Sequence, residues 1–442
     1  MASSIEMRRL VSSMASAASV KGIDLSQPPR RHPDCDNGKR LFREGDLDGA
    51  VCAFRRALGE DPDNVEAHDG LGAIALIREE VNQAVAHYRH VLRRRPEFAR
   101  AHYNLGSCLY CGGDLDGALA SFERAATLNP SFILANIGRA SVYFLRGDWE
   151  RGWALYESRL GPGEANERRW RGEPLEGRRI LLRCEQGLGD ILQFVRYARL
   201  VSKMGGRVIL EPPARLARLL EKTPGIDTLI RDGMPLPAGN DPVVDCPLMS
   251  LAKVCGAGCY PSAVPYLHAD PADIDRWAKY FSSFPGLKVG VVWSGEPKHS
   301  RNEHRSIPLP ALEPLTRVPG VSLFSLQRGA AAGMLTTIFP HQIRDVEAHC
   351  RDFADTAAVI TALDLVITVD TSIAHAAGGL GKPVWILLPY VPDWRWLLDR
   401  SDSPWYPTAR IFRKPGLGDW NPVIHAAGTS LSRCILGEEQ LF

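Results

Sequence analysis

The sequence predicts an α-solenoid followed by an α/β region made of two parallel-sheet units, and three observations predict it. In the first third of the 442-residue chain, residue types recur every 34 positions. From about residue 165 the recurrence stops, and short aliphatic runs begin to alternate with helix-length stretches. Two of those runs end in turns bearing Gly and Asp, or Asp, Thr, Ser and His, at the carboxyl ends of predicted strands, where parallel sheets bind ligands.

The recurrence is exact in four registers. Pro62, Pro96 and Pro130 lie 34 apart, as do Phe54, Tyr88 and Phe122, then Ala50, Ala84 and Ala118, then Gly38, Gly72 and Gly106. Small residues let two helices approach closely, aromatics fill the space between helix pairs, and proline ends the second helix because it lacks an N–H. Gly45-Asp46 and Gly113-Asp114 supply the turns. The spacing and residue types resemble the tetratricopeptide repeat, a helix-turn-helix unit. A partial fourth copy keeps Tyr143, Gly147-Asp148, Gly152 and Tyr156 in register, so residues 139–160 read as a capping helix pair. Stacked units form a concave groove suited to an extended acceptor protein or peptide. The alternative is an array that only dimerises the chain or supports its second half.

Composition narrows the function classes. A formal net charge of +2 with scattered basic residues gives no nucleic-acid tract. No apolar run is long enough to span a bilayer. Residues 1–33 are too polar for a secretory signal and read as a mobile tail of a cytoplasmic protein. The ten cysteines show no disulfide framework. Cys108 and Cys111 fall inside a repeat helix, and Cys255 and Cys259 lack the further ligands that zinc requires, so no metal site is expected. Every Asp-x-Asp pattern lies in a repeat turn or at a helix start, which points to metal-independent chemistry.

In the second half, 179–184 reads as a buried strand, followed by the Gly187-Leu188-Gly189-Asp190 turn and a helix over 191–204. Strands are expected at 207–211, 228–231 and 243–246. Residues 256–275 read as a linker rich in Gly, Pro and Ala. A second unit follows, with strands at 288–293, 321–326, 343–346, 365–370 and 383–388 and a helix at 352–363. The expected domains are 34–164 (repeats with their cap), 165–270 (first Rossmann-like unit) and 271–442 (second Rossmann-like unit).

The string Asp370-Thr371-Ser372-x-x-His375, running to Gly381-Lys382-Pro383-Val384, resembles the nucleotide-binding core of the heptosyltransferase-type (family 9-like) glycosyltransferases. The Gly189-Asp190 turn is similar to that family's N-terminal motif. The likeness spans roughly residues 178–425. The joining of repeats to such a unit also resembles protein O-linked N-acetylglucosamine transferases. The resemblance implies a two-lobed GT-B fold, a nucleotide-diphosphate sugar donor, no cofactor, and inversion at the anomeric centre without a metal.

Residue types assign candidate roles. Asp190 is the candidate general base, the position the resemblance gives to the catalytic carboxylate, with Glu185 as a nearby substitute. Its alternative role is a helix cap. Gly187 and Gly189 would let a ligand approach the backbone. Asp370 would cap the following helix, Thr371 and Ser372 would add hydroxyl donors at its N-terminus, and His375, one turn on, would donate to a phosphate oxygen. Arg305 matches the family's basic residue for the diphosphate, with Lys298 as the alternative in the same loop. Gln327, at a strand end, would contact base or ribose. Trp394, Trp396, Trp405 and Tyr406 read as core rather than as a stacking platform. The leading function is an inverting glycosyltransferase whose repeats recruit a protein acceptor. The alternatives are a transferase acting on glycolipid or polysaccharide, or a non-catalytic scaffold with a degenerate transferase-like region. Neither turn carries the Gly-x-Gly-x-x-Gly of a dinucleotide oxidoreductase.

Overall fold

The structure, a computed structural model, describes residues 32–161, 168–231, 234–236, 243–256, 263–297 and 302–442. Residues 1–31 of the expected tail, together with Lys298, His299 and Cys259, lie outside the described residues, while Pro33, expected in the tail, already opens a helix. The chain divides into two compact units, one ending at Gly161 and the other running from Pro162 to Phe442.

The first unit is a run of helix pairs: α1 (Pro33–Glu44) with α2 (Leu47–Glu60), α3 (Val65–Ile77) with α4 (Val81–Arg94), α5 (Ala99–Cys111) with α6 (Leu115–Leu128), and α7 (Ile133–Leu145) with α8 (Trp149–Tyr156). The fourth pair starts at Ile133, so the cap is a complete helical hairpin. Asp46, Asp114 and Asp148 cap the second helices by accepting from the N–H three residues on. The glycines do what the spacing implied. A Cβ on Gly38 would stand 2.8 Å from the Phe54 ring, and one on Gly106 would stand 2.7 Å from Phe122. Each aromatic also meets the next pair. Phe54 lies against Gly70, and Phe122 lies against Gly138. The intervening aromatic, Tyr88, packs on Gly72, and its hydroxyl faces Asn104, which holds the position equivalent to Gly70 and Gly138.

Three imidazoles gather on α3 and α4. His68 Nδ1 lies 2.8 Å from His87 Nδ1, and the His68 ring stacks on His90 at 3.8 Å. Burial, then the neighbouring His68 and His90 and Arg55, pushes the His87 pKa down to about 4. An unfolded histidine titrates near 6.5. Between those values the unfolded chain binds more protons than the folded one, so stability falls as pH drops through that window. Urea unfolding of the repeat unit should therefore show a loss from about pH 6.5 toward about pH 4 that is shallower in His87→Gln.

The second unit holds two parallel sheets. In the first lobe, β1 (Arg179–Arg183), β2 (Arg207–Glu211), β3 (Thr228–Leu229) and β4 (Val243–Pro247) take the order β3-β2-β1-β4. In the second, β5 (Leu287–Val292), β6 (Val321–Ser325), β7 (Ile343–Asp345), β8 (Leu365–Val369), β9 (Val384–Leu388) and β10 (Ala409–Arg413) take the order β10-β9-β8-β5-β6-β7. Renumbered within its lobe, the second sheet has the doubly wound order 3-2-1-4-5-6, and the first is its 3-2-1-4 portion. Two such lobes in one unit make the GT-B architecture. β8 and β9 are buried along their whole length, as central strands covered on both faces must be.

The helices that position the site are α9 (Leu188–Phe194), α10 (Ala214–Leu220), α11 (Pro271–Phe281), α12 (Phe353–Ala362), α13 (Ser372–Gly379) and α14 (Asn421–Ile435). The helix expected over 191–204 is interrupted by a 3-10 turn at Val195–Tyr197. The expected linker 256–275 is shorter than the composition suggested. Tyr266 and Leu267 both donate to the Gly379 carbonyl, and α11, capped by Asp270 with Pro271 at its start, is already helix.

Candidate active site

β1 runs out at Arg183, and the chain turns through Gln186 at φ 67°, a left-handed conformation uncommon for a side-chain-bearing residue. Gly187 itself has ordinary extended backbone and is the N-cap of α9. Asp190, at the third helical position, reaches back so that its Oδ2 accepts from the Gly187 N–H at 2.8 Å. Asp190 is thus part of the cap, and its Oδ1 takes a second bond, from the Arg395 guanidinium of the other lobe. Two of the lone-pair positions of the carboxylate are engaged, and others are left for a further donor. Glu185 sits apart, accepting from the Met249 N–H at 3.2 Å.

Gly189 is small for a reason other than ligand approach. A Cβ there would stand 2.8 Å from His375 Cδ2 and 3.5 Å from the Ser372 Cα. The two strand-end turns singled out by their residue types are therefore in contact, and the N-terminal ends of α9 and α13 meet at that point.

On the second lobe, β8 leads through Asp370 into α13. Thr371, rather than Asp370, is the N-cap: its Oγ1 accepts from the Ile373 N–H at 3.2 Å and lies 3.1 Å from Thr368 Oγ1. Asp370 is one residue too early to cap and points inward. Burial, then the neighbouring Asp393 carboxylate, raises its pKa against the opposing pull of Arg305 and Arg395. Thr371 and Ser372 stay partly exposed at the helix start.

His375 is buried. Its Nδ1 lies 2.8 Å from the Tyr406 hydroxyl, and its ring stacks on Trp396 with centroids 5.5 Å apart. Burial, then the charge of Arg395, drives its pKa well below the usual histidine range, so the ring is neutral at neutral pH. Arg305, at the end of the short helical turn Asn302–Arg305, rests its guanidinium on Gly295, where a Cβ would stand 2.6 Å from a terminal nitrogen. Its charge reaches both Asp370 and His375.

Gln327 behaves differently from the expected nucleotide contact. Its Oε1 accepts from the Trp293 and Ser294 N–H groups at 3.2 and 2.9 Å. Its Nε2 donates to the Ser294 and Arg328 carbonyls at 3.0 and 2.9 Å. With two bonds accepted and two donated, the amide is fully used. It fastens the base of the loop that carries Arg305. The aromatic segment is core, as read: Trp396, Trp405 and Tyr406 are all 0% exposed.

Sequence reasoning missed Arg395 and Arg196. Arg395 binds Asp190, Gln193 Oε1 at 2.7 Å and Asp393 Oδ1 at 2.8 Å. Arg196, 3% exposed, donates to the Trp405 carbonyl and the Tyr266 hydroxyl at 2.9 and 2.8 Å and lies over the Tyr266 and Tyr406 rings. The available signal for Arg395 was its place in the loop after β9, at the ligand-binding end of the sheet.

Comparison with known proteins bears on the helical unit most directly. A tetratricopeptide-repeat family model matches residues 35–89 and 78–132. The helical unit is a tetratricopeptide-repeat array. In an alignment 317 positions long that covers 63% of this chain, the sequence is 29% identical to Protein FlbA of Caulobacter vibrioides, and the match spans 52% of that protein, about half its length. Among solved structures, a glycosyl transferase family 9 protein from Veillonella parvula is similar over 59% of this chain and 99% of its own, with a TM-score of 0.44 and 13% identity. A Thermobaculum terrenum O-GlcNAc transferase mutant is similar over 80% of this chain and 81% of its own, with a TM-score of 0.29 and 17% identity. Among the described residues no helix is long and apolar enough to cross a membrane.

The Gly189–His375 contact makes a direct prediction. In Gly189→Ala the new methyl meets a ring pinned by Tyr406 and Trp396, so the α/β unit should lose about 1–3 kcal/mol in urea unfolding, as overpacked sites do. Gly333→Ala, with nothing within 4 Å of the added carbon, serves as the control and should leave stability unchanged.

Proposed function

We propose that the α/β unit is an inverting, metal-independent glycosyltransferase that moves a sugar from a nucleotide-diphosphate donor to an acceptor hydroxyl, and that the repeats recruit a protein bearing that hydroxyl. The observation that carries this reading is the meeting of the Gly187–Asp190 and Thr371–His375 turns. It places a carboxylate from one lobe beside a helix N-terminus and two arginines from the other.

The division of labour follows from the chemistry. The Asp190 carboxylate takes the proton of the acceptor hydroxyl as its oxygen attacks the anomeric carbon. The new C–O bond forms on the face opposite the bond to phosphate, which breaks, and the configuration inverts. The departing diphosphate gathers negative charge. In this reading the helix start of α13, the Thr371 and Ser372 hydroxyls and the Arg305 guanidinium stabilise that charge, and preorganised groups of this kind are the largest source of rate in many enzymes. Neutral His375, its Nδ1 taken by Tyr406, turns its Cδ2–Nε2 edge to Gly189 of the first lobe and adds no competing proton equilibrium near neutral pH.

A screen of UDP-, ADP-, GDP-, dTDP- and CMP-sugars for nucleotide release tests the activity. With the donor so found, Asp190→Asn should lower kcat by roughly 10²–10⁴ while the nucleoside diphosphate still binds. Full activity in that variant removes Asp190 from the mechanism. Deleting the helical unit through Gly161 should leave nucleoside-diphosphate affinity unchanged, as calorimetry would read it, and abolish the preference for a protein acceptor over water. Equal acceptor use by the truncated chain would take the repeats out of recruitment.

A further inference from the structure

The reaction proposed above uses Asp190, but the residue with the firmest hold on it is Arg395. We propose that Arg395 is a positioning residue that aims the Asp190 carboxylate across the lobe boundary. The inference rests on the reading of Asp190 as the base.

Arg395 is held before it holds anything. Its backbone N–H donates to Asp393 Oδ1 at 3.1 Å, and its carbonyl accepts from the Trp405 indole N–H at 3.0 Å. One face of the guanidinium lies over Trp394, 4.2 Å from the ring centroid, and the side chain is only 9% exposed. The fork therefore arrives in one orientation. It spends one terminal nitrogen on Asp393 of its own lobe and turns the other terminal nitrogen and Nε to the first lobe.

What it meets there is one face of α9. Asp190 and Gln193 are three residues apart, so they sit one above the other on the helix surface. The guanidinium bonds both, Asp190 through one terminal nitrogen and Gln193 through Nε. A planar fork spans two acceptors on successive turns in a fixed geometry, which the compact ammonium of a lysine does not reproduce. With Oδ2 held by the Gly187 N–H and Oδ1 by Arg395, the Asp190 carboxylate is fixed about its terminal torsion from both sides. Each oxygen then keeps a lone pair for a hydroxyl, in a direction fixed by these two bonds. Without Arg395, only the local cap bond orients it.

The experiment compares Arg395→Lys and Arg395→Met with Asp190→Asn and the unaltered full-length chain. ADP and UDP binding is measured by calorimetry, and turnover is measured with the donor from the screen. A positioning role predicts retained nucleoside-diphosphate affinity with kcat reduced on the order of 10²-fold in Arg395→Met, as for other misplaced reacting groups, and a smaller loss in Arg395→Lys. Millimolar methylguanidinium should restore part of the kcat of Arg395→Met and do nothing for Asp190→Asn. Should Arg395→Met fail to fold, the lysine variant carries the same test through the split between kcat and affinity. Full kcat in a folded Arg395 variant, with Asp190→Asn inactive, overturns the inference and leaves the base in place. Full activity in Asp190→Asn instead removes the reading on which it rests.

Discussion

The α/β unit depends on a contact without a side chain on one side of it. Because Gly189 has no Cβ, α9 of the first lobe comes to rest against His375 and the first residue of α13. Two helix N-terminal ends, each carrying the positive pole of its peptide dipoles, are thereby brought together. Arg305, Arg395 and Arg196 stand at this junction together with Asp190, Asp370 and Asp393. The unprotonated state of His375 is one result, since a cation is costly where solvent is excluded and arginines already stand nearby. The arginine charges that oppose an imidazolium favour an anion, whereas burial opposes both.

The lobes are tied at a second place by the same kind of bond. Arg218 on α10 donates to Asp352 at 3.0 and 2.7 Å and also pairs with Asp355, while Asp352 caps α12. The Asp355 acid is pulled far below the usual carboxylate range, chiefly by its bond to Arg351. In both places an arginine from one lobe closes on carboxylates that already serve as helix caps in the other. Each lobe thus binds its partner through groups whose positions its own backbone has fixed.

The fold was legible because its signals are local. Registers repeating every 34 residues gave the helix pairs, and continuous aliphatic runs gave nine of the ten strands of the two sheets within a residue or two. The second of the two special turns was legible as a helix start, though the cap proved to be Thr371, because the chain needs one more extended residue after β8 than the motif suggested. Gln327 was misread for a related reason: a strand-end amide looks the same in sequence whether it faces a ligand or the adjoining loop. Arg395 had only its place in the loop after β9 as a local signal. Its partner Asp190 is 205 residues away, and Trp394 and Trp396 on either side announced a core, which they also form. β10 and α14 escaped attention because the polar residues of the edge strand dilute its β-pattern and Gly428 interrupts the helical one.

In the repeat array, Phe54 and Phe122 are each wedged between two glycines, whereas Tyr88 has a glycine on one side and an asparagine on the other. The seams are accordingly keyed differently along the superhelix. Removing one 34-residue module so that Phe54 faced Asn104 would press an amide onto a hydrocarbon ring and separate it from the Tyr88 hydroxyl that it now faces. The modules look periodic but cannot trade places, and their order is inscribed in which aromatic carries a hydroxyl.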